Sequence, residues 1–219
     1  MNKLIFKLIK MLAGFFLCAI SANMAINSNL GLSPWDTLHQ GLSNYLGLTI
    51  GQSSILVSFS LILFTRFFGF KIGAGTLANM IVVGLLIDMI SSLQLIPKSS
   101  GIIASLLLIL ISLAINSVGC YLYISCEMGC GPRDGFMVVM GNILYLPIKK
   151  VRLFIELAAS LAGYLLGGPI GIGTIIIAIL MGKFMQSIFS LFKFNVNQVK
   201  HKSLFDSLKT IKKFIYQNF

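Results

Sequence analysis

The chain has 219 residues and a formal net charge of +11, yet only 11% of it is charged and 57% is apolar; its mean hydropathy is +0.93. Soluble domains carry about 25% charged residues, so a soluble fold could not cover its surface and the chain reads as an integral membrane protein. The positive balance does not indicate nucleic acid, because the basic residues sit at the chain ends and in short loops between apolar spans. There they suit membrane orientation and contact with anionic lipid headgroups.

A helix needs about 20 predominantly apolar residues to cross a bilayer. Six such spans are expected, at roughly 9–27, 51–68, 76–96, 101–125, 151–167 and 170–192. Lys3, Lys7 and Lys10 precede the first. With Ala22-Asn23-Met24-Ala25 behind it, this start has the look of a cleavable signal peptide. It is read instead as a retained helix, because it is the counterpart of the fourth span in the repeat described below. Cysteines 18, 120, 126 and 130 lie in or beside apolar segments without a disulfide framework. Cys126 and Cys130 have no histidine near them, so no metal site and no cofactor is expected.

Ser33-Pro34-Trp35-Asp36 has the grammar of a helix start, with Ser as N-cap, Pro at the first helical position and an acid at the third. The segment from Pro34 to about Tyr45 is amphipathic: Asp36, His39, Gln40 and Ser43 share one face, and Trp35, Leu38, Leu42 and Tyr45 the other. The start recurs as Gly131-Pro132-Arg133-Asp134, opening a nearly apolar helix to Leu144. Both helices are too short to span. The recurrence is part of a longer one: at a constant spacing of 98 residues, Asn44 falls on Asn142, Gly69 on Gly167, Ile72-Gly73-Ala74-Gly75-Thr76 on Ile170-Gly171-Ile172-Gly173-Thr174, and Gly84 on Gly182. The Ile-Gly-x-Gly-Thr pair is read as tight turns whose threonines cap the following helices; Gly84 and Gly182 are read as helix-packing positions.

The expected fold is therefore all-α and integral to the membrane, with six spans in a 3+3 arrangement over residues 1–97 and 98–194. A short Pro-started helix follows the first span of each repeat, and a basic amphipathic tail occupies 195–219. In that tail Leu204, Leu208, Ile211 and Ile215 have helical spacing, with Lys209, Lys212 and Lys213 on or beside the other face, which suits an anionic leaflet. Three spans per repeat is an odd number, so the second repeat must insert upside down relative to the first. Arg66, Lys71, Arg133, Lys149, Lys150 and Arg152 fall on the same side as both termini, and Lys98 on the opposite side. By the positive-inside rule both termini are cytoplasmic. Asp36 is then in the outer half of the membrane and Asp134 in the inner half.

Charge at membrane depth is costly and marks solute, ion or proton paths, or helix-locking pairs. The candidate substrate-binding residues are Trp35, Asp36, His39, Gln40, Asn44, Arg133, Asp134 and Asn142; the candidate proton-relay or charge-pairing residues are Asp88, Glu127 and Glu156. Each aspartate of the motifs could equally do no more than satisfy its own helix terminus. Arg133 could pair with Asp134, Glu127 or Glu156, or lie in a cytoplasmic loop.

Gly-Leu-Ser-Pro-Trp-Asp-Thr-Leu-His-Gln-Gly (31–41) together with Gly-Cys-Gly-Pro-Arg-Asp-Gly (129–135) resembles the YczE-type membrane proteins of the bacterial YczE/YyaS/YitT grouping, over essentially the whole chain to about residue 194. The resemblance implies a multi-pass protein of the bacterial plasma (inner) membrane, with no agreed catalytic residues. Two functions fit. One is a small-solute secondary transporter or permease with a polar site near the two Pro-x-Asp helix starts. The other is a non-transporting subunit, assembly factor or regulator that docks a protein partner. An enzyme is not expected, since no Ser/His or Cys/His constellation has convincing spacing. Besides the bilayer, the candidate partners are a small polar or charged solute, another protein and a second copy of the chain.

Overall fold

The computed structural model describes residues 2–195; the expected amphipathic tail lies outside the described residues. Eight helices and no strand occur among them: α1 (Asn2–Asn27), α2 (Pro34–Leu46), α3 (Ile50–Phe67), α4 (Ala74–Ser92), α5 (Ile102–Ile124), α6 (Pro132–Leu144), α7 (Ile148–Leu165) and α8 (Ile172–Leu191). Helices α1, α3, α4, α5 and α8 are long and apolar enough to cross a membrane. The remaining expected span, α7, is an 18-residue helix whose first half carries Lys149, Lys150, Arg152 and Glu156. Those charges keep it out of the apolar set. Leu85, Leu107, Leu157 and Ile179 point outward and exposed, as a surface that meets hydrocarbon rather than water requires.

The helix starts are local in origin. Ser33 Oγ accepts from the Asp36 amide at 3.2 Å, and Pro34 needs no donor at the first position. At α6 the cap is Gly131, which has no side chain to offer. Thr49 and Gln52 close a reciprocal capping box on α3. Gly69 and Gly167 end α3 and α7 with φ of +77° and +86°, a region where a side chain would be strained.

Helices α1 and α5 cross at the centre. Gly14 and Gly119 let the two backbones touch, because a Cβ on Gly14 would stand 2.8 Å from the Gly119 carbonyl oxygen. Ser21 Oγ donates to the Ser112 carbonyl at 2.8 Å two turns further along. Phe15 packs on Tyr123 with ring centres 5.6 Å apart. Helix α4 lies along α1 and α8 along α5, while α2 packs on α7 and α3 on α6.

The two Gly-x-Gly turns clasp the segments before the short helices. Gly75 N–H donates to the Met128 carbonyl at 2.8 Å, and Gly173 N–H donates to the Leu30 carbonyl at 2.7 Å. Positions 75 and 173, like 30 and 128, are counterparts at the 98-residue spacing, so each half holds the other by the same bond. Thr76 does not cap α4 as expected; its hydroxyl donates to the Cys130 carbonyl at 2.7 Å, which strengthens the clasp. Thr174 instead accepts from the Gly171 amide at 3.2 Å.

The glycine pair 84 and 182 behaves unequally. Gly84 lies against α3, where an added Cβ would stand 2.5 Å from Ile55 Cγ1 and 2.8 Å from the Gly51 carbonyl oxygen. Gly182 faces open space, and α7 has no extended contact with α8. Gly84→Ala should therefore destabilise the protein by about 1–3 kcal/mol through overpacking. Gly182→Ala should be neutral or stabilising by up to about 1 kcal/mol through helix propensity. Thermal unfolding in maltoside detergent, followed by circular dichroism, measures both.

Candidate functional site

All eight helices contribute to one internal cavity of about 190 Å³. Its wall contains the start of α2 (Ser33 to Asp36) and the start of α6 (Gly131 to Asp134), so the two Pro-x-Asp motifs converge on a common space. Ser21, Ser54, Ser58, Ser112, Asn79 and Asn116 make it polar, and Cys18, Cys120, Met80, Met137, Met181 and Met185 add soft sulfur surface. Asn116 Nδ2 lies 3.4 Å from Met181 Sδ.

The α2 aspartate is heavily engaged. Asp36 Oδ2 accepts from Ser33 Oγ at 2.5 Å. Its Oδ1 lies 3.5 Å from His39 Nδ1 and 3.9 Å from Arg133 Nη2. His39 is fully buried, one turn along α2 and behind the cavity wall. Arg133 reaches across from α6, with Nη2 3.4 Å from His39 Nε2 and its guanidinium 5.2 Å from the centre of the Trp35 ring. The same Nη2 lies 3.5 Å from His39 Nδ1, so one guanidinium nitrogen meets both ring nitrogens while it faces Asp36. The partners expected for Arg133, namely Asp134, Glu127 or Glu156, are thus replaced by Asp36, His39 and Trp35.

The α6 aspartate is lightly engaged. Among the described residues, Asp134 accepts one hydrogen bond, from the Tyr123 hydroxyl at 3.1 Å, and no basic group lies within ion-pair distance of it. Glu156 also reaches the cavity, already paired with Arg152 at 2.7 Å one turn earlier on α7. Trp35 carries a further unsatisfied group, since its indole N–H is buried without an acceptor. The same ring helps to wall a second, almost wholly apolar cavity of about 720 Å³ between α2, α3, α6 and α7.

Other expected site residues lie elsewhere. Gln40 bonds Asn44 at 2.9 Å, and Asn44 Nδ2 donates to the Gly167 carbonyl at 3.0 Å, tying α2 to the α7–α8 turn rather than lining the cavity. Asn142 is exposed near the end of α6, outside the cavity. Asp88 holds the start of α3, accepting from Thr49 Oγ1 at 2.5 Å and the Gly51 amide at 2.8 Å. Glu127 meets Lys7 at 3.3 Å, at the open ends of α1 and α5. These are joints of the scaffold. The expectation overlooked Asn79, Asn116, Tyr123 and Arg152. The two asparagines had a legible signal, being amides in the middle of apolar spans.

The profile of a family described as "Family of unknown function (DUF6198)" matches residues 5–190. The chain belongs to this family. It is 34% identical over 178 residues to the "Uncharacterized membrane protein YczE" of Bacillus subtilis, which covers 80% of this chain and 81% of that one. An "Uncharacterized protein" of Haemophilus influenzae is 33% identical over 167 residues, 76% of either chain. The "Uncharacterized protein YyaS" of Bacillus subtilis is 26% identical over 182 residues, 79% of this chain and 87% of its own. The YczE-type resemblance read from the two motifs is therefore correct. No solved structure matches.

The unequal settings of the two aspartates make opposite predictions for one substitution. Asp36→Asn weakens a buried network and leaves Arg133 without its carboxylate, at a cost of about 2–4 kcal/mol. Asp134→Asn removes a half-buried charge that has no cation, and should leave the empty protein as stable as before or more so. Melting temperatures of the two purified variants test this; equal losses would contradict it.

Proposed function

We propose that the protein is a small-solute secondary transporter of the bacterial inner membrane and that the cavity between the two Pro-x-Asp helix starts is its binding site. The observation that carries this reading is the convergence of Trp35, Asp36, Arg133 and Asp134 on one polar space that every helix helps to enclose. Polar groups at such depth are expensive, and interrupted helices that start at a central site are a recurring transporter device. In this reading α7 is the sixth span: Lys149 and Lys150 lie at the cytoplasmic surface, and the Arg152–Glu156 pair turns inward. The halves 1–97 and 98–194 form inverted 3+3 repeats with both termini cytoplasmic. The reciprocal bonds Gly75–Met128 and Gly173–Leu30 support the two-fold relation.

The unequal glycines support alternating access. Two equivalent halves can exchange roles, one closed while the other is open. Here α3 is closed on α4 at Gly84, whereas α7 stands off α8 at Gly182. The exchanged state would bring Leu153 against Gly182, as Ile55 now meets Gly84, and would part the α3–α4 contact. No catalytic role is assigned to any residue, and no enzyme activity is proposed.

Solute levels inside and outside cells with and without the gene test the transport reading. A solute imbalance should follow the wild-type gene and disappear with Asp36→Asn and with Asp134→Asn; no imbalance in any condition would favour the partner-docking reading instead. In membranes, disulfide formation in Ile55→Cys/Gly84→Cys and in Leu153→Cys/Gly182→Cys checks the alternation. Both pairs should close, and locking either should stop transport. Closure of the first pair alone would mean a static protein.

A further inference from the structure

Resting on the cavity being a binding site, we infer that its ligand is a small organic cation, of the ammonium or guanidinium type, held by Asp134 beside Tyr123. The three carboxylates in the wall, Asp36, Asp134 and Glu156, face two guanidinium groups, Arg133 and Arg152. Two ion pairs account for Asp36 with Arg133 and Glu156 with Arg152, and His39 lies behind the wall rather than in it. One negative charge is left, and it is on Asp134.

The 98-residue correspondence explains why that charge is uncompensated. Asp36 is held by Ser33, His39 and Arg133. The residues at the equivalent positions around Asp134 are Gly131, Met137 and Trp35. Each is unable to neutralise a carboxylate, and two of them offer an aromatic face and a thioether. Arg133 stacks on Trp35, its own counterpart. The guanidinium that position 133 gives to Asp36 thus has no counterpart from position 35, and Asp134 is left with the Tyr123 hydroxyl. A carboxylate in a cavity that Tyr123, Cys120 and Met137 also line is a setting that favours an organic cation over a strongly hydrated metal ion. An unpaired carboxylate at membrane depth is costly until a cation joins it. The volume, about 190 Å³, suits a small ligand.

Purified protein in maltoside detergent, at constant ionic strength, is titrated with tetramethylammonium, guanidinium and methylammonium chlorides, and with sodium chloride and sodium acetate. Binding is read by calorimetry and by melting temperature. At least one organic cation should bind saturably. Asp134→Asn should weaken it at least about tenfold, as removing one partner of a buried charge pair does. Trp35→Arg, which supplies the missing internal cation, should abolish it, and each variant's own melting transition shows that it is folded. Acetate binding in place of the cations, unchanged cation binding in Asp134→Asn, or no cation binding across pH 6 to 9 would each overturn the assignment. If the cations fail while the two cysteine pairs still close alternately, the transport reading stands and only the charge class of the solute falls.

Discussion

A helix that stops inside a membrane protein leaves carbonyl and amide groups that no water reaches, and each must find a partner in the protein. The bonds that meet this demand at Leu30 and Met128 determine much of the rest. Both carbonyls precede a Pro-started helix, and both accept from a Gly-x-Gly turn of the opposite half. Glycine is needed there because the backbones come too close for a side chain: a Cβ on Gly173 would stand 2.9 Å from the Leu30 carbonyl oxygen, and one on Gly75 3.0 Å from that of Met128. With Gly31 and Gly129 bending the chain at positive φ next to these carbonyls, α2 and α6 are aimed so that both begin at the same space. Without the clasp, the two aspartates would be charges on separate loops.

Two charged helix starts sharing one cavity then create a second problem, because their carboxylates would repel in a low dielectric. Divergence between the two motifs resolves half of it. Tryptophan at position 35 and arginine at 133 let a single guanidinium cross to Asp36 and stack on the ring, with His39 completing the contact from behind. Asp134 receives only a phenol. Identical motifs would have given two neutralised acids with two arginines, or two bare ones with none. Three sequence differences, Ser33 against Gly131, Trp35 against Arg133 and His39 against Met137, are what separate a structural aspartate from an available one.

Much of this was legible before any fold was known, for reasons specific to each residue type. The short helices were readable because Ser33, Pro34 and Pro132 act locally, and α6 runs from Pro132 to Leu144 as expected. Gly69 and Gly167 were conspicuous because they recur, and both have the positive φ that makes glycine necessary. What could not be read was anything decided by which half faces which. Arg133 has five acids closer in sequence than Asp36, and only the convergence of the two helix starts gives it the distant one. Gln40 shares a helical face with Asp36, yet one turn of displacement carries it out of the cavity to Asn44, which bonds the α7–α8 turn. Asp88 serves the start of α3 from another helix, bonding Thr49 Oγ1 and the Gly51 amide, which sequence spacing does not encode.

The unequal charges and the unequal packing are related. A transporter built from two halves needs them alike enough to exchange conformations and different enough to hold a solute in one definite pose. The clasp bonds, the α1–α5 crossing and the glycine turns are the conserved geometry between the halves of this chain, and they concern backbone. The differences are in side chains: tryptophan against arginine, histidine against methionine, and the capping serine against glycine. The halves differ at many other positions too, but these three set the surroundings of the aspartates. A pair of helix caps would ask the same of both starts. Here one aspartate is held by serine, histidine and arginine, and the other accepts a single phenol, so the two starts present different chemistry to one cavity.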